Sequence, residues 1–139
     1  MSGLGEAAIG QLRKVGLRTT RQRRLLADIL FGEMGEAITA EKLHALATER
    51  GIRVSLATVY GTLNSFCDAG VVREISIDSK RYFDINIENH QYFFFEEERR
   101  LVGASEVQTG FKDFPPPPDG QVVSRIDVVV RLRKDERRR

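Results

Sequence analysis

The chain has 139 residues, 41% of them hydrophobic, enough for one compact unit or two small ones sharing a partner. Its net charge is only +2 but is unevenly spread: residues 1–83 balance to +3, residues 84–119 to −5 and residues 120–139 to +4. A single cysteine, Cys67, excludes an internal disulfide framework and a CxxC metal clamp, and no apolar run approaches the roughly 18–20 residues of a membrane span.

The opening stretch MSGLGEAAIGQLRK lacks a signal-peptide core, so a cytoplasmic protein with no membrane partner is expected. Leu12, Val15 and Leu17 lie in a basic leader in which Gly16 ends a first short helix. Thr19 or Thr20 is placed to cap a second, a threonine hydroxyl taking an orphan amide of the first turn. That helix is expected to bury Leu25, Leu26, Ile29 and Leu30 and to end near Gly32, with MGEAI as a loop after it. Thr39 caps a third helix with Glu41 at N2 and Lys42 at N3; its inner face is Leu43, Leu46 and Ala47, and Gly51 ends it.

Ser55 opens a fourth helix. At about 100° per residue, Leu56, Val59, Leu63, Phe66 and Gly70 share one side. Ala57, Tyr60, Gly61 and Asn64 fall on the other side or its flank, with Thr58 and Ser65 on the polar edge. The run VVREISIDSKRYFDI then alternates around Asp78-Ser79, which predicts a β-hairpin. Helices followed by a hairpin make a winged helix-turn-helix over residues 1–83.

Beyond Asp84 the character changes. QYFFFEE and RRLVG read as strands joined by an acidic turn, SEVQTGFKDF as a short helix, and Pro115–Pro118 as an extended connector facing solvent. VVSRIDVVVRLR alternates, with Ile126, Val128, Val130 and Leu132 on one face. The expected fold class is therefore α+β: an N-terminal winged helix-turn-helix, then a small α/β dimerisation domain (84–132) with a three-stranded antiparallel sheet. The tail, 133–139, reads as basic and disordered. So small a sheet leaves apolar surface uncovered, and a second copy closes it as a two-fold homodimer.

A helix-turn-helix places its second helix in the major groove, the only groove wide enough for one. From Leu56 to Phe66 the fourth helix carries no charge, unlike an ordinary solvated face. Small or polar Ser55, Ala57, Thr58, Gly61 and Asn64 allow close approach to double-stranded DNA. Tyr60 is expected to set its ring against a thymine methyl and its hydroxyl on a phosphate. Arg18, Arg21, Arg23 and Arg24 cluster where the second helix begins, with Arg18 able to enter a minor groove. Lys80 and Arg81 lie at the hairpin tip, where a wing meets phosphates.

The stretches LRKVGLRTTRQRRLLADIL, ITAEKLHALA, VSLATVYGTLNSFCDAGVV and KRYFD together resemble the DNA-binding half of the ferric uptake regulator superfamily. TLNSF, YFD and RIDVVVRLR look like its iron response regulator branch. The resemblance covers nearly the whole chain. It implies a homodimeric bacterial repressor or activator of iron and haem genes, acting at AT-rich palindromic boxes. It also implies base contact by Tyr60 and minor-groove entry by Arg18. The family often has an arginine reading guanine after that tyrosine; here the position is Gly61, which implies an altered target preference.

The family's regulatory metal site uses a histidine before the cap, a glutamate after the wing and two histidines of an HHHDH run. Here those positions hold Ala37, Asp84, Gln91 and Phe93, and the paired CxxC positions hold Glu96 and Arg99. One carboxylate does not hold a transition metal tightly, so Asp84 and His90 are remnants of a metal site at most, and structural zinc is not expected. The iron response regulators carry three successive histidines linked to haem sensing, where this chain keeps His90 in NHQYFFF. His90, with Tyr92, is a candidate haem ligand pair; His90 reads equally as a hinge histidine with no ligand. His44 reads as structural and Cys67 as inert.

The sequence bears on three function classes. The leading one is a dimeric DNA-binding regulator whose effector is haem, another protein or its own degradation. The second is a winged-helix protein-interaction module without sequence-specific DNA binding, which predicts an apolar patch where this helix shows Ser, Thr, Asn and Gly. An enzyme finds no support, since no nucleophile–base pair, phosphate loop or metal cluster is visible.

Overall fold

The computed structural model describes residues 3–32, 36–89, 91–104 and 114–137. His90, and with it the haem reading, lies outside the described residues, as does most of the helix expected in SEVQTGFKDF. The chain forms two compact units, Met1–Ile87 and Glu88–Arg139.

The first unit opens with helix α1, Gly3–Lys14, which starts well before the leader in which the sequence suggested a short helix. Ala8, Ile9 and Leu12 lie one turn apart on its buried side, while Val15 is exposed. The helix closes where the Leu17 amide donates back to the Leu12 carbonyl at 2.9 Å, with Gly16 in the left-handed region at φ 79°. Helix α2, Arg21–Gly32, follows, and of the two candidate caps it is the Thr20 hydroxyl that accepts the Arg23 amide, at 3.1 Å. It buries Leu26, Ala27, Ile29, Leu30 and Phe31; Leu25, expected inside, is only half-buried.

The stretch expected as a loop contains a short strand, β1, Glu36–Ala37. Next to it Ile38 pairs antiparallel with Phe83, exchanging amide–carbonyl bonds of 3.0 and 2.7 Å. Buried backbone at Ala37 and Ile38 must satisfy its polar groups, and a bridge to another strand does so. Helix α3, Ala40–Glu49, carries the expected cap: Thr39 accepts the Lys42 amide at 3.2 Å.

Helix α4, Leu56–Asp68, is capped by Ser55, which accepts the Thr58 amide at 3.0 Å. Its buried residues are Val59, Thr62, Leu63 and Phe66. Leu56, placed in the core by the sequence reading, is 37% exposed. At about 100° per residue the arc of the four buried positions is centred about 70° from Leu56, and Thr62 lies within it. Phe66 meets Phe31 edge-on at 6.1 Å between ring centroids, joining α4 to α2. Gly70, at φ 75°, turns the chain out of α4 while its amide donates to the Cys67 carbonyl and that of Val71 to Phe66.

The hairpin is as expected. Strands β2, Arg73–Ile77, and β3, Lys80–Asp84, pair antiparallel with Ile77 opposite Lys80. Asp78 and Ser79 both take positive φ, 51° and 65°, the twist that a two-residue hairpin turn requires.

In the second unit β4, Gln91–Phe95, lies between β5, Arg100–Gly103, and β6, Val128–Leu132. It runs antiparallel to β5 but parallel to β6, so the sheet is mixed and the expected antiparallel sheet is corrected. The physical reason is the connection: the chain between Gly103 and Val128 is long enough to cross to the far edge of β4 instead of making a third hairpin. Pro115–Pro118 lie on it, exposed and outside helix or strand. One face of the sheet buries Tyr92, Phe94 and Leu101. The other sets Phe93 level with Val130 and Val102.

Removing the ring that joins α4 to α2, Phe66→Ala, is expected to lower the unfolding free energy by about 3–5 kcal/mol, read by urea titration. Loss of the α3 cap in Thr39→Ala is expected to cost about 1 kcal/mol on the same scale.

Candidate nucleic-acid interface

The outward side of α4 is built from short side chains. Ala57, Gly61 and Asn64 are exposed, and a Cβ placed on Gly61 would meet nothing within 4 Å. Ser55 and Thr58 serve each other at the helix start: besides accepting the Thr58 amide, the Ser55 hydroxyl donates to Thr58 Oγ1 at 2.9 Å.

Tyr60 is half-buried, and its hydroxyl donates to Glu41 Oε1 of α3 at 2.7 Å. That bond holds the Glu41 carboxyl below the usual carboxylate range and lifts the Tyr60 phenol above its usual 10. In this structure the Tyr60 hydroxyl, expected on a phosphate, is engaged by a carboxylate of the same chain. From the hairpin, Arg81 grips Glu74 with two bonds, Nε to Oε1 at 2.6 Å and Nη2 to Oε2 at 2.9 Å. Its Nη2 also donates to Asn64 Oδ1 at 2.7 Å, and its guanidinium lies 6.0 Å from the Tyr60 ring centroid and 5.0 Å from that of Phe83. The Glu74 bonds raise the Arg81 pKa further.

The basic residues divide into groups. Arg18 is exposed in the link before α2, and its carbonyl accepts from Arg23 Nη1. Arg23 Nη2 reaches Ser65 Oγ at 3.4 Å, and Ser65 donates to the Gly61 carbonyl at 3.0 Å, so Arg23 ties the Arg18 link to α4. Arg21 instead lines a hollow of about 610 Å³ with Arg50, Arg53 and Asp28. Arg24 is half-buried; Lys80 is exposed at the hairpin tip and close enough to favour the charged form of Glu41.

Tyr60, Asn64 and Arg81, three of the residues expected at DNA, come together, and Arg18 is linked to the same helix through Arg23. Glu41, Glu74, Arg50 and Arg53 were not singled out as site residues. Glu74 carried a signal: a two-residue turn at Asp78-Ser79 fixes a register with Glu74 opposite Phe83, two places from Arg81 on the same face. Glu41 meets Tyr60 only through the packing of two helices and left no such trace.

The sensory positions are different in kind. His44 Nε2 lies 3.0 Å from the Val54 carbonyl, a structural bond. Burial pushes the Cys67 thiol up to about 11, with the Glu74 charge adding to it, so the reactive thiolate is suppressed. Tyr92 is fully buried, and its hydroxyl donates to the Asn89 carbonyl at 3.4 Å. Ala37 is buried and offers no donor atom, Phe93 is hydrocarbon, and buried Asp84 accepts the Asn86 amide at 2.9 Å. These residues do not fit a transition-metal site of the expected kind, and no three His, Cys, Asp or Glu side chains gather among the described residues. No helix among the described residues is long and apolar enough to cross a membrane.

Comparison with known proteins matches residues 14–102 to the ferric uptake regulator family. The chain belongs to that family. The peroxide-responsive repressor PerR of Staphylococcus epidermidis is 33% identical over 98 residues, 70% of this chain but 65% of that repressor's length. The chain thus matches slightly less than two thirds of this relative. The Vibrio cholerae ferric uptake regulator (Fur) structure, described as showing rearranged DNA-binding domains, aligns at TM-score 0.62 and 28% identity, covering 69% of this chain and 75% of that one. The Helicobacter pylori Fur structure aligns at TM-score 0.70 over 98% of this chain and 96% of that one; at 18% identity it speaks for the family fold alone.

The Tyr60–Glu41 bond sets an optical expectation. Tyr82 and Tyr92 are buried, so ionisation of the accessible phenol followed near 295 nm reports Tyr60. Its midpoint is expected above 10 in the wild type and to fall back toward 10 in Glu41→Ala. A raised folded pKa means that this bond contributes below pH 10 and is lost as pH climbs through the folded value; an unchanged midpoint would refute the bond.

Proposed function

We propose that this chain is a dimeric, DNA-binding transcriptional regulator of iron and haem homeostasis genes, of the iron response regulator branch. It works in the cytoplasm on AT-rich palindromic operators, most simply as a repressor. The observation that carries this reading is the uncharged, exposed side of α4, held from behind by a packed core and flanked by Arg18, Arg23 and Arg81. A helix with that profile suits a groove: neutral short side chains lose little hydration on entry, and cations at the margin meet phosphates. The relatives' printed names, a repressor and a protein with DNA-binding domains, agree with it.

The second unit supports pairing. Phe93 and Val130 sit side by side on the open face of the sheet at 38% and 43% exposure, a surface that a second copy would cover. Since the metal positions carry the wrong chemistry, the effector is proposed to be haem through His90, another protein, or the protein's own turnover.

Fluorescence anisotropy with labelled palindromic DNA tests the main reading. Binding is expected to be dimeric, to weaken steeply with salt, and to fall by about 1–3 kcal/mol in Tyr60→Ala. Absence of binding at low salt, with metal and with chelator alike, would sink the reading and leave the protein-interaction module. In light scattering, Val130→Asp is expected to shift the dimer toward monomer while the helical circular dichroism is kept.

A further inference from the structure

Asn64 is the one exposed amide on the outward side of α4, and Arg81 dictates which way it faces. A guanidinium has donors and no acceptor, so the Asn64 atom 2.7 Å from Arg81 Nη2 must be the oxygen. Its amino group is then the end left for a ligand. Arg81 is itself fixed by its two bonds to Glu74 and by the Phe83 ring beneath it. A free asparagine reads adenine with both ends, accepting from N6 and donating to N7. Here the accepting end lies against a cation, and a second amino donor approaching that oxygen would be repelled by it.

We propose that Arg81 is a specificity-determining residue: by holding the Asn64 oxygen, it turns Asn64 into a donor-only reader of acceptor edges in the major groove. Guanine, with O6 and N7 both accepting, is the preferred base opposite Asn64; thymine, with O4, is second. Adenine is disfavoured because its N6 amino group meets a like donor. The hairpin thus sets base preference on the helix without touching the base. This inference rests on the DNA-binding reading above.

The test is enrichment of random duplex DNA on the full-length wild type, Asn64→Ala, Arg81→Leu and Glu74→Gln. The base position that loses its preference in Asn64→Ala is the one Asn64 reads. In the wild type that position is expected to favour guanine or thymine over adenine by about tenfold. In Arg81→Leu, with the amide free to rotate, adenine is expected to rise at that same position until the bias is lost or inverted. Glu74→Gln, which loosens Arg81 without removing it, should fall between the two. A wild type that selects adenine there, an Asn64→Ala profile identical to wild type, or a bias unmoved in a folded Arg81→Leu would each overturn the proposal while a selected motif keeps the DNA-binding reading intact. A wild type that enriches no sequence would overturn both. Thermal melting of each variant confirms that it is folded, and Glu74→Gln carries the test should Arg81→Leu not fold.

Discussion

The structure depends on α4 being two things at once. One side is locked into the core by Val59, Leu63 and Phe66, with Phe66 edge-on against Phe31; the other side is left open and uncharged. Each buried large side chain contributes roughly 1.5–3 kcal/mol from area alone, so the anchored side holds the helix far more firmly than any surface bond does. The open side is therefore free to be chosen for fit and chemistry. Charge is kept to its margin, on arginines from α2 and the hairpin, and none projects from the central turns of the helix.

Two carboxylates stand at this margin, which a purely attractive surface for a polyanion would avoid. Their contribution to stability is small, since exposed ion pairs and surface hydrogen bonds are worth about 0–1 kcal/mol. What they do is orient. Glu74 accepts from Nε and Nη2 of the Arg81 guanidinium, and Nη2 also donates to Asn64; Glu41 takes the Tyr60 hydroxyl and so sets the ring. Some attraction for a polyanion is given up, and a single arrangement of Tyr60, Asn64 and Arg81 is gained. Preorganisation of that kind reduces the side-chain ordering that binding would otherwise cost, about 0.5–1.5 kcal/mol for each rotamer-rich group.

What could be read in advance follows the range of the interaction. Caps at Thr39 and Ser55, the stop at Gly70 and the Asp78-Ser79 turn are local, written within a few residues of where they act, and they stand in the structure. Leu56, expected inside, is 37% exposed: periodicity places the apolar side of a helix only roughly, and the buried arc is centred about 70° away from it. β1 and the Ile38–Phe83 bridge escaped notice because pairing between segments so far apart leaves no periodic mark on so short a run. The parallel β4–β6 pair was missed for a related reason: alternation identifies a strand but says nothing about its neighbours' direction. In the interface, side chains on α4 were legible by their lack of charge. Glu74 was legible in principle from hairpin register, whereas Glu41 needed the helices already packed.

The same distinction bears on regulation. A ligand shifts an equilibrium only by binding one state better than another, and a metal can do so only through donor atoms. Buried Ala37 and the hydrocarbon Phe93 supply none, whereas Phe93 and Val130 do supply an apolar patch. If two copies meet on that patch, each presents one α4 to one half of a palindrome, and the second contact becomes intramolecular. Linking two weak contacts in this way raises affinity by about 10²–10⁴-fold without any new interaction. Occupancy then tracks the amount of paired protein, so anything that controls its abundance or pairing controls the operator. On the proposed reading, a chain with carbon at two of the metal positions is still a switch, provided its concentration is what is switched.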